Sequence, residues 1–151
     1  DGMGIWLVGP DAQGDFAGSA YDRIINGQLR GRPVDVDGNT ARHVVGAAAT
    51  LAFTTPVLHD ISNGGLAVSL AEVAMASSVG FTIEGVPGPE LFDETPLRFV
   101  AITHGDNLDT AEPHRRIGTM GGDVLDFSDA GSISLTEARD IWANALPRRM
   151  S

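Results

Sequence analysis

The sequence predicts an α/β (α+β) layer sandwich, a mixed β-sheet with helices packed on it, and three observations carry that expectation. Short apolar runs of strand length alternate with segments whose apolar residues recur every three to four positions, the signatures of strand and amphipathic helix. No internal repeat, low-complexity tract or linker divides the chain, so residues 1–151 are expected to form one domain. At 151 residues the chain is long enough to bury about two thirds of the surface its unfolded form exposes.

Each element has a local reason. Ile5, Trp6, Leu7 and Val8 run without a polar break and are closed by Gly9-Pro10, which reads as a buried strand and a turn. A glycine-rich loop leads to Ser19, a cap for a helix that sets Tyr21, Ile24, Ile25 and Leu29 on one face and stops by Gly31-Arg32-Pro33. A second helix is expected from Thr40, with Val44, Val45, Ala48, Leu51 and Ala52 inward, ending before Pro56 because the residue before proline resists helical angles. Val57-Leu58 is a short strand, and a helix follows from Leu66 to Ser77. Downstream come a strand at Phe81–Ile83, a helical turn at Pro89–Phe92, a strand at Arg98–Thr103, and a polar loop with a short helix over Gly105–Arg116. Short strands at 117–119, 124–127 and 132–134 suggest a hairpin around Gly121-Gly122-Asp123. The last helix opens on Ser134 with Glu137 three residues on, a capping-box pair, turns Ala138, Ile141, Trp142 and Ala145 inward, and ends at Pro147. Trp6 and Trp142 are both read as core.

Composition removes several function classes. The net charge is −10, from 20 acidic residues against ten arginines and no lysine, so no basic footprint for nucleic acid exists. A P-loop needs a lysine to reach the outer phosphates and is excluded with it. No apolar run approaches the ~20 residues that cross a bilayer. There is no cysteine and no basic-then-apolar leader at the first residues, which fits a cytoplasmic protein.

One segment carries a chemical signal. The short strand runs into His59-Asp60-Ile61-Ser62-Asn63-Gly64-Gly65 and then a helix. A strand, a glycine turn and a helix leave backbone N–H groups and the positive end of a helix dipole facing a possible anion. The plainer reading is a tight turn. If the turn meets a phosphate, side chains at Gly64 or Gly65 should impair binding before they impair folding. Around it, His59 reads as a packed, hydrogen-bonded histidine rather than half of a catalytic pair with Asp60. His43, His104 and His114 have no metal-ligand spacing. Asp60, Glu72, Asp93 and Glu94 read as solvated or capping carboxylates rather than magnesium ligands. Arg98 reads as an ion-pair partner of Asp93 or Glu94. No metal site and no catalytic residue is assigned.

The segment His59-Asp60-Ile61-Ser62-Asn63-Gly64-Gly65-Leu66-Ala67-Val68 resembles the His-Asp-Val-Ser-Asp-Gly-Gly-Leu segment of the aminoimidazole-ribonucleotide (AIR) synthetase C-terminal domain family. Within that family, further segments resemble the formylglycinamidine ribonucleotide synthase branch. These are Gly18-Ser19-Ala20-Tyr21, Gly31-Arg32-Pro33, Leu91 to Phe99, Ile117 to Asp123, and Trp142 with Ala145-Leu146-Pro147. Gly31-Arg32-Pro33 and Ala145-Leu146-Pro147 argue against the thiamine-monophosphate kinase and hydrogenase maturation branches.

The resemblance implies an AIR synthetase C-terminal-domain fold, here as the second such domain of a longer multidomain ligase. That ligase, in purine biosynthesis, uses ATP, magnesium and glutamine-derived ammonia to convert formylglycinamide ribonucleotide to its amidine. It also implies partners: N-terminal domains of the same synthase, a glutaminase subunit and a small accessory subunit. The isolated chain is expected to be inactive, to bind no cofactor tightly, and to self-associate. For nucleotide phosphate at an auxiliary site the resemblance points to Asp60, Ser62, Asn63, Gly64 and Gly65. The family's substrate motif falls on Glu94, Thr95 and Pro96, where proline offers neither an N–H nor an amide side chain, so that motif is degenerate here. Asn63 and Ala20 replace acidic residues of the pattern, and the segment between Thr103 and Ile117 is short.

Overall fold

The first strand, β1 (Gly4–Val8), is buried along its whole length because both of its faces are covered. Ile5 and Leu7 enter one apolar cluster and Trp6 and Val8 a second on the opposite face. The computed structural model describes residues 2–14, 16–29, 31–32 and 34–147. After β1 come α1 (Ala20–Ile25), α2 (Gly38–Thr54), β2 (Val57–Asp60), α3 (Gly65–Ser77) and β3 (Phe81–Ile83). They are followed by α4 (Gly88–Leu91), β4 (Phe99–Thr103), β5 (His114–Met120), β6 (Val124–Asp126), β7 (Ser132–Ser134) and α5 (Leu135–Asn144).

The strands form one seven-stranded mixed sheet in the order β2-β4-β1-β5-β3-β6-β7, antiparallel except for β3 beside β6. The larger cluster joins the sheet to α3 through Leu66, Leu70, Val73 and Ala74, and reaches α4 at Leu91 and α5 at Leu135. The smaller one gathers Trp6, Val8 and Ala101 beneath Leu51 of α2 and Leu108. The expected layer sandwich is thus the observed one, and no helix among the described residues is long and apolar enough to cross a membrane.

Several expectations change. Around Gly121-Gly122-Asp123 there is no hairpin: β5 and β6 are separated by β3, and the turn carries the chain past its start, with Gly80 N–H on Gly122 O and Gly121 N–H on Gly80 O, both 2.8 Å. Gly80 lies so close to the Val124 backbone that a side chain would collide with it. The segment Gly105–Arg116 contains no helix, and its last three residues already belong to β5. Helix α2 starts at Gly38, capped by Asp37; Val44, Ala48 and Leu51 are buried as expected, but Val45 and Ala52 are exposed. Helix α1 ends at Ile25, capped by Asn26 and followed by Gly27 at φ +66°, so Leu29 falls outside it. The buried residue of α1 is Asp22, while Ile24 and Ile25 are 72% and 63% exposed. In α5 the Ser134 side chain accepts from Glu137 N–H as expected, yet the helix stops at Asn144, and Ile141, Trp142 and Ala145 are exposed. Trp6 is core; Trp142 is not. Pro33 lies outside the described residues.

Candidate functional site

Strand β2 and helix α3 are joined by a turn that uses both glycines in the left-handed region, Gly64 at φ +88° and Gly65 at φ +72°. Ile61 at its start is buried and donates its N–H to Arg98 O at 2.9 Å, and Gly65 N–H closes on Ser62 O at 3.0 Å. Ser69, one turn into α3, donates its hydroxyl to Asp60 O at 3.1 Å and ties strand to helix. Asp60, Ser62 and Asn63 are exposed, Gly64 is half-buried and Gly65 is buried. The structure therefore brings the five predicted residues together as one turn.

What faces the turn is Glu94. Its Oε1 accepts Gly64 N–H at 2.7 Å and Ala20 N–H, the first residue of α1, at 2.8 Å. Its neighbours act alike: Asp93 Oδ2 accepts Gly14 N–H at 2.8 Å, and Thr95 Oγ1 accepts Gln13 N–H at 3.1 Å. Three consecutive side chains thus hold the glycine-rich loop and the starts of two helices through backbone donors, with Asp93 and Thr95 themselves buried. Pro96 is half-buried and ends this run, and Leu97 after it sits at φ +65°, a strained angle for a branched side chain. The positions of the degenerate motif form a strap across the site.

Beneath the strap lies an ion-pair chain that the sequence reading half found. Arg98, 1% exposed, meets Asp93 Oδ1 at 3.5 Å as expected, but its stronger partner is Glu90 Oε1 at 2.7 Å, not Glu94. Glu90 Oε2 accepts from Arg115 at 2.7 Å. Burial lowers the affinity of the Arg98 guanidinium for its proton, and the Glu90 and Asp93 carboxylates oppose that shift. Its Nε is buried without a partner. Glu90 and Arg115 were missed because neither neighbours Arg98 in sequence; the signal available was a glutamate eight residues before a lone arginine.

The remaining candidates are scattered. His59 is half-buried, with Nδ1 at 2.6 Å from Asp60 O and Nε2 at 3.3 Å from Glu72 Oε2. It is a hydrogen-bonded histidine on the rim of a groove of about 870 Å³ between β2, α3 and α5, lined by Val57, Met75, Arg139 and Trp142. Among the described residues no group of three or more His, Asp or Glu could hold a metal ion. Nor do the residues at the turn fit a nucleotide phosphate as they stand, since the Gly64 N–H is already given to a carboxylate.

Residues 1–123 match the family described as AIR synthase related protein, C-terminal domain. The chain is 33% identical over 97% of its length to phosphoribosylformylglycinamidine synthase subunit PurL of Mesorhizobium japonicum, and 34% identical over 95% to that of Thermobifida fusca. It spans 22% and 20% of those two proteins, about a fifth of their length. Among solved structures, T. maritima PurL complexed with ATP shares the fold at a TM-score of 0.61 and 11% identity, over 91% of this chain and 25% of that one. The PurLQS structure from Thermotoga maritima gives 0.60 over 89% of this chain and 25% of that one. With the family match covering most of the sheet, the glycine turn and the strap, the chain belongs to the AIR synthase related protein C-terminal domain family.

Proposed function

We propose that this chain is the C-terminal domain of a phosphoribosylformylglycinamidine synthase, a cytoplasmic ATP-dependent ligase of purine biosynthesis. The observation that carries the reading is identity above 30% to such synthase subunits over nearly the whole chain. In that reaction the formamide oxygen of formylglycinamide ribonucleotide is activated using ATP and magnesium, and ammonia from a glutaminase displaces the phosphate. The proposed partners are the N-terminal domains of the same protein, a glutaminase subunit and a small accessory subunit. The outward apolar face of α1, Ile24 and Ile25, supports an association of this kind, because an apolar helix face left in water marks a contact surface. In the isolated chain the same face supports the proposed self-association.

A second reading, an auxiliary module that shapes the enzyme without reacting, is favoured by one observation: Glu94 and its neighbours spend their polar groups on the protein's own backbone. Under either reading the proposed nucleotide segment of the intact protein is Asp60, Ser62, Asn63, Gly64 and Gly65. Phosphate contact at Gly64 is then conditional on Glu94 releasing its amide.

The test is direct. The 151-residue chain, given ATP, magnesium, ammonia and formylglycinamide ribonucleotide, is expected to form no amidine, whereas the intact protein carrying it forms amidine under the same assay. Turnover by the chain alone, or none by the intact protein, overturns the reading.

A further inference from the structure

We infer that the glycine turn of this chain is closed to nucleotide phosphate by the chain's own Glu94, so that the protein supplies from within the anion that the turn would otherwise take from outside. The inference rests on the reading above only for where a phosphate would come.

Two backbone donors converge on a single oxygen, Glu94 Oε1, at 2.7 Å from Gly64 N and 2.8 Å from Ala20 N. These are the lengths of charge-assisted bonds, and a carboxylate at the start of a helix satisfies the same dipole and the same donors as a phosphate. One pair of donors does not serve two anions. Three further donors around it are committed too: Gly65 N–H to Ser62 O, Gly14 N–H to Asp93 and Gln13 N–H to Thr95. Charge points the same way. Asp93 lies beside Glu94 in the strap, the chain has no lysine, and the arginine nearest in sequence, Arg98, is buried and engaged by Glu90 and Asp93. An incoming phosphate would have to expel Glu94 against the repulsion of two carboxylates, with no free cation on the strap to offset it.

The experiment follows backbone amides of the 151-residue chain by nuclear magnetic resonance. Inorganic phosphate, and separately magnesium-ATP, are titrated to about 10 mM, where a millimolar site is mostly filled. The Ala20, Gly64 and Gly65 resonances are expected to move no more than those of the Gly121-Gly122 turn; a saturable shift at Ala20 and Gly64 overturns the inference. In a second arm, Glu94→Ala is expected to raise hydrogen exchange at Ala20 and Gly64 about tenfold or more, the value of a hydrogen bond to a charged group, while Val100 and Ala101 keep their protection. Unchanged exchange at the two amides overturns the assignment of Glu94. Should the alanine variant not fold, Glu94→Gln, which keeps an acceptor and loses the charge, is read instead: a rise of about threefold is expected, and none overturns it. Both arms are independent of whether the intact protein forms amidine, so failure of the synthase reading and failure of this inference are told apart.

Discussion

A methyl group on Gly65 would stand 2.7 Å from Leu91 O and 2.7 Å from the Phe92 carbonyl carbon, both backbone atoms at the end of α4. The residue also holds φ +72°, where a side chain strains the main chain. Gly65→Ala is therefore expected to lower stability by about 2–4 kcal/mol, the sum of left-handed strain and overpacking, read as a fall in the urea midpoint. At Gly64 the added methyl would stand 2.4 Å from Val68 Cγ2 and 2.9 Å from its Cβ, a clash with a stiff β-branched side chain on top of the left-handed strain, and a loss of about 2–4 kcal/mol is expected there too. At Gly65 folding itself is therefore expected to suffer, because its conformation seats α3 on α4. Arg98 gives a second prediction. Replacing it with methionine leaves the buried Asp93 carboxylate without its cation and Glu90 with Arg115 alone, and a loss of about 3–5 kcal/mol in urea unfolding is expected. Arg115→Met, at a side chain 40% exposed, should lose under about 1 kcal/mol. That Arg98 pairs with an acid was legible, since a lone arginine beside an apolar strand is buried only with a partner. Which backbone amides Glu94 reaches was not, because Ala20 and Gly64 are brought together by the sheet and not by spacing.

Helix ends were more legible than helix faces. Ser19 and Ser134 cap α1 and α5 as their types predict, and the side chain of each accepts from an N–H three residues on. Asp37 was overlooked because the apolar repeat of α2 begins only after it. Its carboxylate accepts Thr40 N–H at 2.8 Å and the Thr40 hydroxyl at 2.9 Å, and these bonds hold its pKa below the ordinary 3.8. A carboxylate with a lowered folded-state pKa stabilises the fold above its unfolded value, and the contribution disappears as the pH falls through the lower folded one. Hydrogen exchange at Thr40 is therefore expected to rise, relative to Leu51, as the pH is taken down through and below 3.8. In Asp37→Asn, which still caps but does not titrate, that rise should vanish. Faces misled the reading for a different reason. A three-to-four-residue apolar repeat says that a helix has a sticky side but not what covers it. In α1 the cap and the Glu94 bond turn Asp22 inward and Ile24 outward; in α5 only the first turn reaches the core, leaving Trp142, 68% exposed, on the groove.

Across the whole molecule the sheet is built from distant partners. Leu7 faces Val100 on one side and Arg115 on the other, and Phe81 faces Met120 and Leu125. The fold class was legible because short apolar runs and helical repeats alternate; strand order was not, because register between segments about a hundred residues apart leaves no local mark, as the misassigned turn at Gly121 illustrates. Non-local pairing of this kind delays folding until long loops close. Refolding from urea, followed by Trp6 burial, is expected in milliseconds to seconds rather than microseconds, with Trp142 contributing little to the signal. The position of β1 has a further consequence for the cell. It is made before every other strand of this sheet, yet it lies between β4 and β5, whose last residue is Met120. At about 5–20 residues per second, the most apolar segment of the sheet emerges roughly 6–20 s before its final neighbour is made. During that interval Ile5 to Val8 form a natural handhold for a chaperone, and a slower translation rate between residues 8 and 120 lengthens the time in which aggregation competes.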